Sequence, residues 1–461
     1  MRSKKSRWLY AVLAFVTALS MLAGCSKDND EGAADADGSI SINVIGGEGE
    51  ANPPDLPEPD GENVYVTDAD GNYVTGVGGN YITEPAVTTT VTINENLSEE
   101  DRMSMLGTGT GAPPKLTEIA TTERYAYTTL TADEKKLYDD IVSGIENLRY
   151  KICDEDAYSV DEWAKIYGLV YNQEPRLFYM SAKIKVGKLF YQTKDSEAIN
   201  KMQKDIDAVV DKLVNEAAGK SSTFDKLLVF HDYLVLNSTF ELNDEVNGNY
   251  NTTIYNAFGS GAAQGNIQCQ GYAKAMQYLC DRAGIRCMVV TGETESGQSH
   301  AWNVVDVDGA WYNLDCTWDD PILSTANYKN LRHAFFLIPD SWIHNITHMH
   351  VSQKKMSSGS YITYFTPPAC KDTAQNYFVK KGLVYNDKAS AEAAIKAEIK
   401  RAAEDGSRSA QIMVGSKDVY DAIYAERSNY NSYSKEFSGV KGISDECREQ
   451  MLLIEFDVIY N

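Results

Sequence analysis

Three residues in the middle of the chain carry side chains suited to covalent catalysis: Cys269, His300 and Asp315. A cysteine thiolate is a strong nucleophile, and it is stabilised at the start of a helix or beside an imidazolium. A histidine can hold the thiolate and then protonate the leaving amine, while a carboxylate fixes the tautomer and orientation of that histidine. These residue types in this order indicate acyl transfer at a cysteine.

The elements around the three residues can bring them together. Residues 268–284 predict a helix that begins at Cys269, and its first-turn N–H groups can hold an oxyanion. Strands are predicted over 286–292 and 300–307. Asp308-Gly309 is a two-residue hairpin turn, so a further strand is predicted to return over 310–318.

The register of this hairpin gives a geometric prediction. If Val307 pairs with Ala310, Asp315 lies opposite Trp302 and diagonally across from His300 on the same face. Diagonal neighbours are about 7–8 Å apart at the backbone, which lets a histidine and an aspartate touch. A slip of one residue would separate them. Gln268, next to Cys269, and Trp302 are further candidates for contact with a substrate or an oxyanion.

Three blocks carry a resemblance to a known family: Cys269-Gln-Gly-Tyr-Ala, His300-Ala-Trp-Asn303 and Asp315-Cys-Thr-Trp-Asp319. Together with Gly284-Ile285 and Trp311-Tyr312 they resemble the transglutaminase-like superfamily, over roughly residues 200–345. The resemblance implies an α+β, papain-like fold in which a nucleophile helix packs on an antiparallel sheet. It also implies that Cys269 is the nucleophile, His300 the base and Asp315 the orienting residue, with no cofactor and no metal.

The reaction expected from this resemblance passes through a thioester on Cys269. Our first interpretation is hydrolysis of a peptide or protein amide, as in a peptidase or a deamidase. The alternatives are a crosslinking transglutaminase and a binding module that keeps the fold without catalysis. The short interval between Cys269 and His300 argues against calcium-regulated crosslinking.

The first residues predict export and lipid anchoring. A basic start is followed by an uncharged stretch over 8–23, too short for a comfortable membrane span, as in a signal peptide. Leu22-Ala-Gly-Cys25 resembles a bacterial lipobox, which implies that Cys25 is lipidated and holds the protein on the outer side of the cell membrane. The alternative is an ordinary signal peptide with a chance cysteine. The net charge of −23 argues against a nucleic-acid partner.

The chain divides, on composition and periodicity, into five parts. They are the signal peptide and lipobox (1–25), an acidic tether (26–118), an N-terminal α/β subdomain (119–195), the catalytic domain (196–350) and a small C-terminal α/β module (370–461). Within the tether, 26–62 is too acidic and too poor in aromatic residues to fold. The segment after residue 62 has two interpretations. It forms short strands at 64–67, 72–75 and 80–83, or it is a disordered Thr-rich stalk.

Several local patterns predict elements around the catalytic segment. Helices are expected from the capping box Thr131–Glu134 onward and over 161–171, 199–219 and 223–236, and strands over 177–180 and 182–191. For the C-terminal module we expect strands over 376–385, 410–414 and 451–460 and helices over 389–403 and 417–428.

The remaining cysteines and histidines indicate no metal centre. The seven cysteines other than Cys25 form no CxxC pair, and their odd number predicts a free thiol. His231 lies on an apolar helical stripe, so we interpret it as a core histidine with its hydrogen bonds satisfied. His344, His348 and His350 are interpreted as loop residues, because no carboxylate or thiol completes a ligand set.

Overall fold

Helices, strands and their side chains are defined over most of the chain beyond Ala120. The computed structural model describes residues 120–241, 250–260, 264–294, 296–320, 331–343, 351–356 and 359–461, and the backbone of 39–44, 63–65, 83–85, 89–94 and 346–347. Contacts divide the chain into a unit of residues 26–102 and a unit that contains 103–461. No helix among the described residues has both the length and the apolar character to cross a membrane.

Where the structure describes the unit of residues 26–102, its strands form two antiparallel pairs. Strand β1 (Ser39–Val44) pairs with β4 (Thr89–Asn94), and β2 (Asn63–Tyr65) pairs with β3 (Thr83–Pro85). The strand predicted at 64–67 overlaps β2, whereas the one predicted at 72–75 lies outside the described residues. Strand β1 falls in the segment predicted not to fold. Its sequence alternates polar and apolar residues with a period of two, a strand pattern that the average composition of 26–62 conceals.

Among the described residues of the other unit, five α-helices lie between Ala120 and Thr239. They are α1 (Tyr125–Thr128), α2 (Ala132–Glu146), α3 (Val160–Gln173), α4 (Ser196–Ala218) and α5 (Thr223–Asn237). The capping box at Thr131 and Glu134 is confirmed, and Ser159 with Glu162 forms a second one at the start of α3. The four predicted helices therefore exist, each within a few residues of its expected bounds.

The strands predicted at 177–180 and 182–191 are wrong. Only isolated bridges such as Met180 with Tyr191 occur among these residues. Gly187 has a left-handed φ of 76° and its Cα packs against the carbonyl of Cys153, so the backbone turns where a strand would continue. The apolar alternation reflects burial of Leu189 and Phe190 in the core rather than pairing.

The catalytic segment folds as a helix on an antiparallel sheet. After β5 (Thr239–Phe240), α6 (Ile254–Phe258) and β6 (Asn266–Ile267) come α7 (Cys269–Arg282), β7 (Cys287–Thr294), β8 (Ser299–Val307), β9 (Ala310–Leu314) and α8 (Cys316–Asp319). With β10 (Ile346–Thr347) the sheet has the order β10-β7-β8-β9. The protein therefore has the expected α+β, papain-like core.

The hairpin register is confirmed. Val307 pairs with Ala310 and Asn303 with Leu314, as the turn chemistry predicts. The strand is shorter than expected, because residues 316–319 form helix α8 instead of continuing β9. The Asp315 side chain accepts hydrogen bonds from the N–H groups of Thr317 and Trp318, and this cap begins the helix.

The C-terminal module has a sheet of its own, reached through the hairpin β11 (Ser352–Lys355) and β12 (Tyr361–Phe365). The sheet has the order β13-β14-β16-β15. The elements of the module are α9 (Tyr377–Lys380), β13 (Val384–Tyr385), α10 (Lys388–Asp405), β14 (Ser409–Val414), α11 (Lys417–Tyr424), α12 (Arg427–Ser434), β15 (Val440–Asp445) and β16 (Leu453–Tyr460).

Three expectations for this module need correction. The strand predicted over 376–385 is confirmed only at its end, in β13; helix α9 forms before it, because the Asn376 side chain caps the N–H of Phe378. The helix predicted over 417–428 is two helices, and β15 was not predicted. The module keeps a separate apolar core, yet Arg332 of the catalytic body makes buried ion pairs with Glu455 (3.1 Å) and Asp457.

Candidate active site

Helix α7 carries Cys269 and is almost entirely buried. Gly271 is required next to the helix start, because a Cβ there would lie 2.5 Å from the backbone oxygen of Asn251. The Asn303 side chain donates a hydrogen bond to the carbonyl of Ala273 (2.9 Å), which ties α7 to strand β8. Gln277 accepts from the N–H of Val289 (3.1 Å) and ties the same helix to β7. The start of α7 is thus fixed against the sheet.

His300 and Asp315 are in direct contact. The distance from His300 Nε2 to Asp315 Oδ2 is 2.6 Å, and both residues are buried. The second carboxylate oxygen of Asp315, Oδ1, accepts the N–H groups that cap α8, at 3.0 and 3.3 Å. Because both oxygens are held, the carboxylate is fixed and it fixes the imidazole in turn.

The Cys269 thiol is near enough to His300 to help raise the pKa of its imidazole. Since Nε2 of the ring faces Asp315, Nδ1 is the nitrogen left for the thiol. Cys269 is partly exposed and packs against Ala273, Val289 and Ala301. The three residues singled out by type and spacing therefore meet at the start of α7.

The environment of His300 favours its protonated form. Burial by itself disfavours the imidazolium, but the charge of Asp315, the hydrogen bond to Asp315 and the contact with Cys269 outweigh burial and raise the pKa of His300 to about 10. An imidazolium beside a thiol stabilises the thiolate.

Two tryptophans flank the imidazole. The Trp318 ring stacks on His300 with the centroids 4.6 Å apart and an interplanar angle of 8°. The Trp302 ring lies on the same histidine at 6.0 Å and 13°. Trp318 had no role in the sequence analysis beyond its place in a motif. Since a strand was predicted over 310–318, nothing in the sequence pattern indicated that α8 would turn this ring onto His300.

The two candidates for substrate or oxyanion contact have different surroundings. Trp302 is buried, and its indole N–H donates to Asn313 Oδ1 (3.0 Å). Gln268 is partly exposed and stands at the N-cap of α7, where its side chain makes no capping hydrogen bond. Contact of either residue with a substrate stays a prediction. Cys25 lies outside the described residues.

A second polar cluster lies at the other end of α8, and its His231 confirms the prediction of a buried, fully hydrogen-bonded histidine. His231 Nε2 lies 3.0 Å from Asp319 Oδ2, and its Nδ1 lies 3.0 Å from Asp232 Oδ1. The same Asp232 oxygen lies 2.8 Å from His333 Nε2. Burial opposes protonation of His231, but hydrogen bonds to Asp232 and Asp319 raise its pKa to about 9. The loop histidines 344, 348 and 350 lie outside the described residues.

His333 was not singled out from the sequence, and Asp319 was named only as the last residue of a family block. Both are far along the chain from His231, and no metal spacing connects them with it. The only available signal was the pair His231-Asp232 on one helix.

Comparison with known proteins agrees with this architecture. Residues 211–316 match the model of the transglutaminase-like superfamily. The human kyphoscoliosis peptidase is 36% identical over 72 residues, which cover 13% of this chain and 11% of that protein. The chain therefore spans about a tenth of the length of this relative.

Two solved structures match short parts of the chain. A crystal structure of a TGase has 23% identity and a TM-score of 0.22, with 28% of this chain and 35% of that chain covered. The periplasmic domain of TgpA from Pseudomonas aeruginosa has 16% identity and a TM-score of 0.20, with 25% of this chain and 44% of that chain covered.

Proposed function

We propose that this chain, which contains a transglutaminase-like domain, is a cysteine-dependent acyl-transfer enzyme that acts on peptide or protein amides. Cys269 is the nucleophile, His300 the acid and base, and Asp315 the orienting carboxylate. The observation that carries the proposal is the His300–Asp315 contact of 2.6 Å with Cys269 within reach of the same imidazole.

The chemistry follows from these contacts. The Cys269 thiolate attacks the amide carbonyl, and first-turn N–H groups of α7 stabilise the negative oxygen that forms. The imidazolium of His300 protonates the leaving nitrogen as the C–N bond breaks, which leaves a thioester on Cys269 and a neutral imidazole. His300 then takes a proton from water as its oxygen attacks the thioester carbonyl; the C–S bond breaks, which releases the acid and restores the Cys269 thiolate beside the imidazolium.

Hydrolysis is the outcome we favour over crosslinking. The relative with 36% identity is named a peptidase, and its matched segment is short. An amine in place of water would give a crosslinking transglutaminase by the same first step.

Surface anchoring completes the proposal. The basic start, the short apolar stretch and the Leu22-Ala-Gly-Cys25 sequence support lipidation of Cys25 on the outer side of the membrane. We expect Cys25→Ala to move the protein out of the membrane fraction, measured by fractionation and immunoblotting. Tight membrane association of that variant would contradict the anchor.

Selective labelling tests the catalytic role. Cys269 is partly exposed, whereas Cys280, Cys287 and Cys316 are buried, and burial raises the pKa of Cys280 and Cys316 well above the usual range. We expect iodoacetamide at neutral pH to modify Cys269 first, as mapped by peptide mass spectrometry, and His300→Gln to slow that reaction.

A peptide-amide substrate library then separates the possible outcomes. Release of the acid product with loss of activity in Cys269→Ala supports hydrolysis, and incorporation of a labelled amine supports crosslinking. Absence of preferential Cys269 labelling together with absence of turnover would leave a binding module and overturn the proposal.

A further inference from the structure

The cluster at the end of α8 has the composition of a metal site. His231, Asp232 and His333 each offer one ligand atom, and these three atoms lie within 4.8 Å of one another. Imidazole nitrogen and carboxylate oxygen are ligands that zinc and related divalent ions prefer. We propose that His231, Asp232 and His333 bind one divalent transition-metal ion of the zinc class, a role separate from the proposed catalysis at Cys269.

The distances fit such an ion after small shifts. Zinc binds nitrogen and oxygen at about 2.0–2.2 Å, so tetrahedral ligand atoms stand about 3.3 Å apart. The Asp232 oxygen already lies 3.0 Å from His231 and 2.8 Å from His333. If the three side chains move apart by about an ångström, an ion fits between them. It would take the place of the protons that now lie in the hydrogen bonds from Asp232 to His231 and His333.

The surroundings supply the outer support that metal-bound histidines require. A ligating imidazole usually donates its second N–H to a carboxylate, which fixes the ring. His231 has this arrangement, because its Nε2 faces Asp319 at 3.0 Å. Asp319 is itself held by the N–H of Phe335, at 3.0 and 3.1 Å. The His333 ring is fixed by stacking on Tyr377, with the centroids 3.8 Å apart.

Charge and access also suit a divalent cation. Asp232 and Asp319 together carry two negative charges when ionised, which balances an ion of charge +2 beside neutral imidazoles. Asp232 is partly exposed and lines an open cleft between α5 and α4, where Glu216 and Asp225 are paired with Lys220 and Lys381. An ion can enter from this cleft, and water can complete its coordination.

The proposed ion would brace the helix that carries the catalytic carboxylate. Asp319, which orients His231, ends α8, and Asp315 caps the start of the same helix. Binding of the ion would therefore hold α8 from one end while His300 contacts it at the other.

Cobalt titration tests the proposal without reference to catalysis. The full chain is treated with EDTA, dialysed and titrated with Co²⁺, whose visible absorption reports tetrahedral nitrogen and oxygen ligands, and then with Zn²⁺ in a calorimeter. We expect one ion per chain in the wild type and in Cys269→Ala, which excludes binding at the nucleophile. We expect no specific binding in His333→Gln or Asp232→Asn.

Graded variants make the outcome decisive. Asp319→Asn should weaken binding by about 10–100-fold, because it removes only the outer support. Glu216→Gln, which removes one charge from the same cleft, should bind like the wild type. Circular dichroism checks that each variant is folded. Absence of a bound ion in the wild type, or equal affinity of folded Asp232→Asn and Glu216→Gln, would overturn the proposal.

Discussion

Two buried histidine–carboxylate pairs lie at opposite ends of α8, and they have different partners. At the start of the helix, Asp315 holds His300, whose remaining nitrogen faces the partly exposed thiol of Cys269. At its end, Asp319 holds His231, whose remaining nitrogen faces Asp232 and through it His333. The pairs are chemically alike, so under the two proposals the third group decides whether the imidazole acts with a nucleophile or with a cation.

The largest expected effect concerns the carboxylate of the first pair. Asp315→Asn keeps a side chain that can touch His300 but removes the charge that stabilises imidazolium. The comparable change in a serine triad costs about 10⁴ in turnover, and we expect about 10²–10³ here, because a thiolate–imidazolium pair depends less on its third member. The measurement is the rate of thioester formation with a peptide-based electrophile.

Asp306→Asn is the matched control for this substitution. Asp306 lies on the same hairpin, where its Oδ1 accepts the N–H of Gly309 (2.8 Å), and asparagine can keep that bond. We expect a rate close to that of the wild type. Equal losses from Asp306→Asn and Asp315→Asn would mean that the His300–Asp315 contact has no special role.

The stacking of Trp318 on His300 has a smaller expected effect. Trp318→Leu leaves Cys269, His300 and Asp315 in place but lets the imidazole rotate, and small misplacements of a catalytic group slow a reaction by about 10-fold or more. We expect kcat to fall by about 10-fold while KM stays constant. Trp311→Leu, on the neighbouring strand and beside Arg286, is the control and should leave both constants unchanged.

The pH dependence of kcat/KM tests whether Asp315 acts on His300 through its negative charge or only through its shape. The folded pKa of His300, about 10, exceeds the value of about 6.5 in an unfolded chain, so the imidazolium stabilises the fold fully below about pH 6.5. That contribution is lost as the pH rises through about 10. We expect the alkaline limb of kcat/KM near pH 10 in the wild type and at lower pH in Asp315→Asn. An unmoved limb would assign the raised pKa to another group.

The smallest expected effect separates the two roles of Asp315. Asparagine can still cap α8, whereas alanine cannot, and loss of an N-cap costs about 1 kcal/mol. Asp315→Ala should therefore unfold more easily than Asp315→Asn by about that amount in urea titrations, although both lose the charge. Equal stabilities would show that the cap contributes nothing measurable.

Prediction from sequence succeeded where the deciding interactions are local. The capping box at Thr131 and the Asp308-Gly309 turn involve residues close along the chain, so the start of α2 and the hairpin register followed from spacing alone. Prediction was wrong at 177–191, where side chains buried in the tertiary core give an apolar pattern like that of a strand although no strand forms. It also failed where one side chain changes the course of the backbone, as Asp315 does when it ends β9 and begins α8.

The sequence by itself determined that a cysteine opens a helix, that a histidine and an aspartate share one face of a hairpin, and that the three follow each other in the order of acyl-transfer catalysis. Turn chemistry and side-chain alternation fix these relations over a few residues. Only the tertiary structure decided that Trp318 covers His300, and that His231, Asp232 and His333 converge. Those contacts join residues as far as 101 positions apart, and their distances depend on how α5, α8 and the segment around His333 pack together.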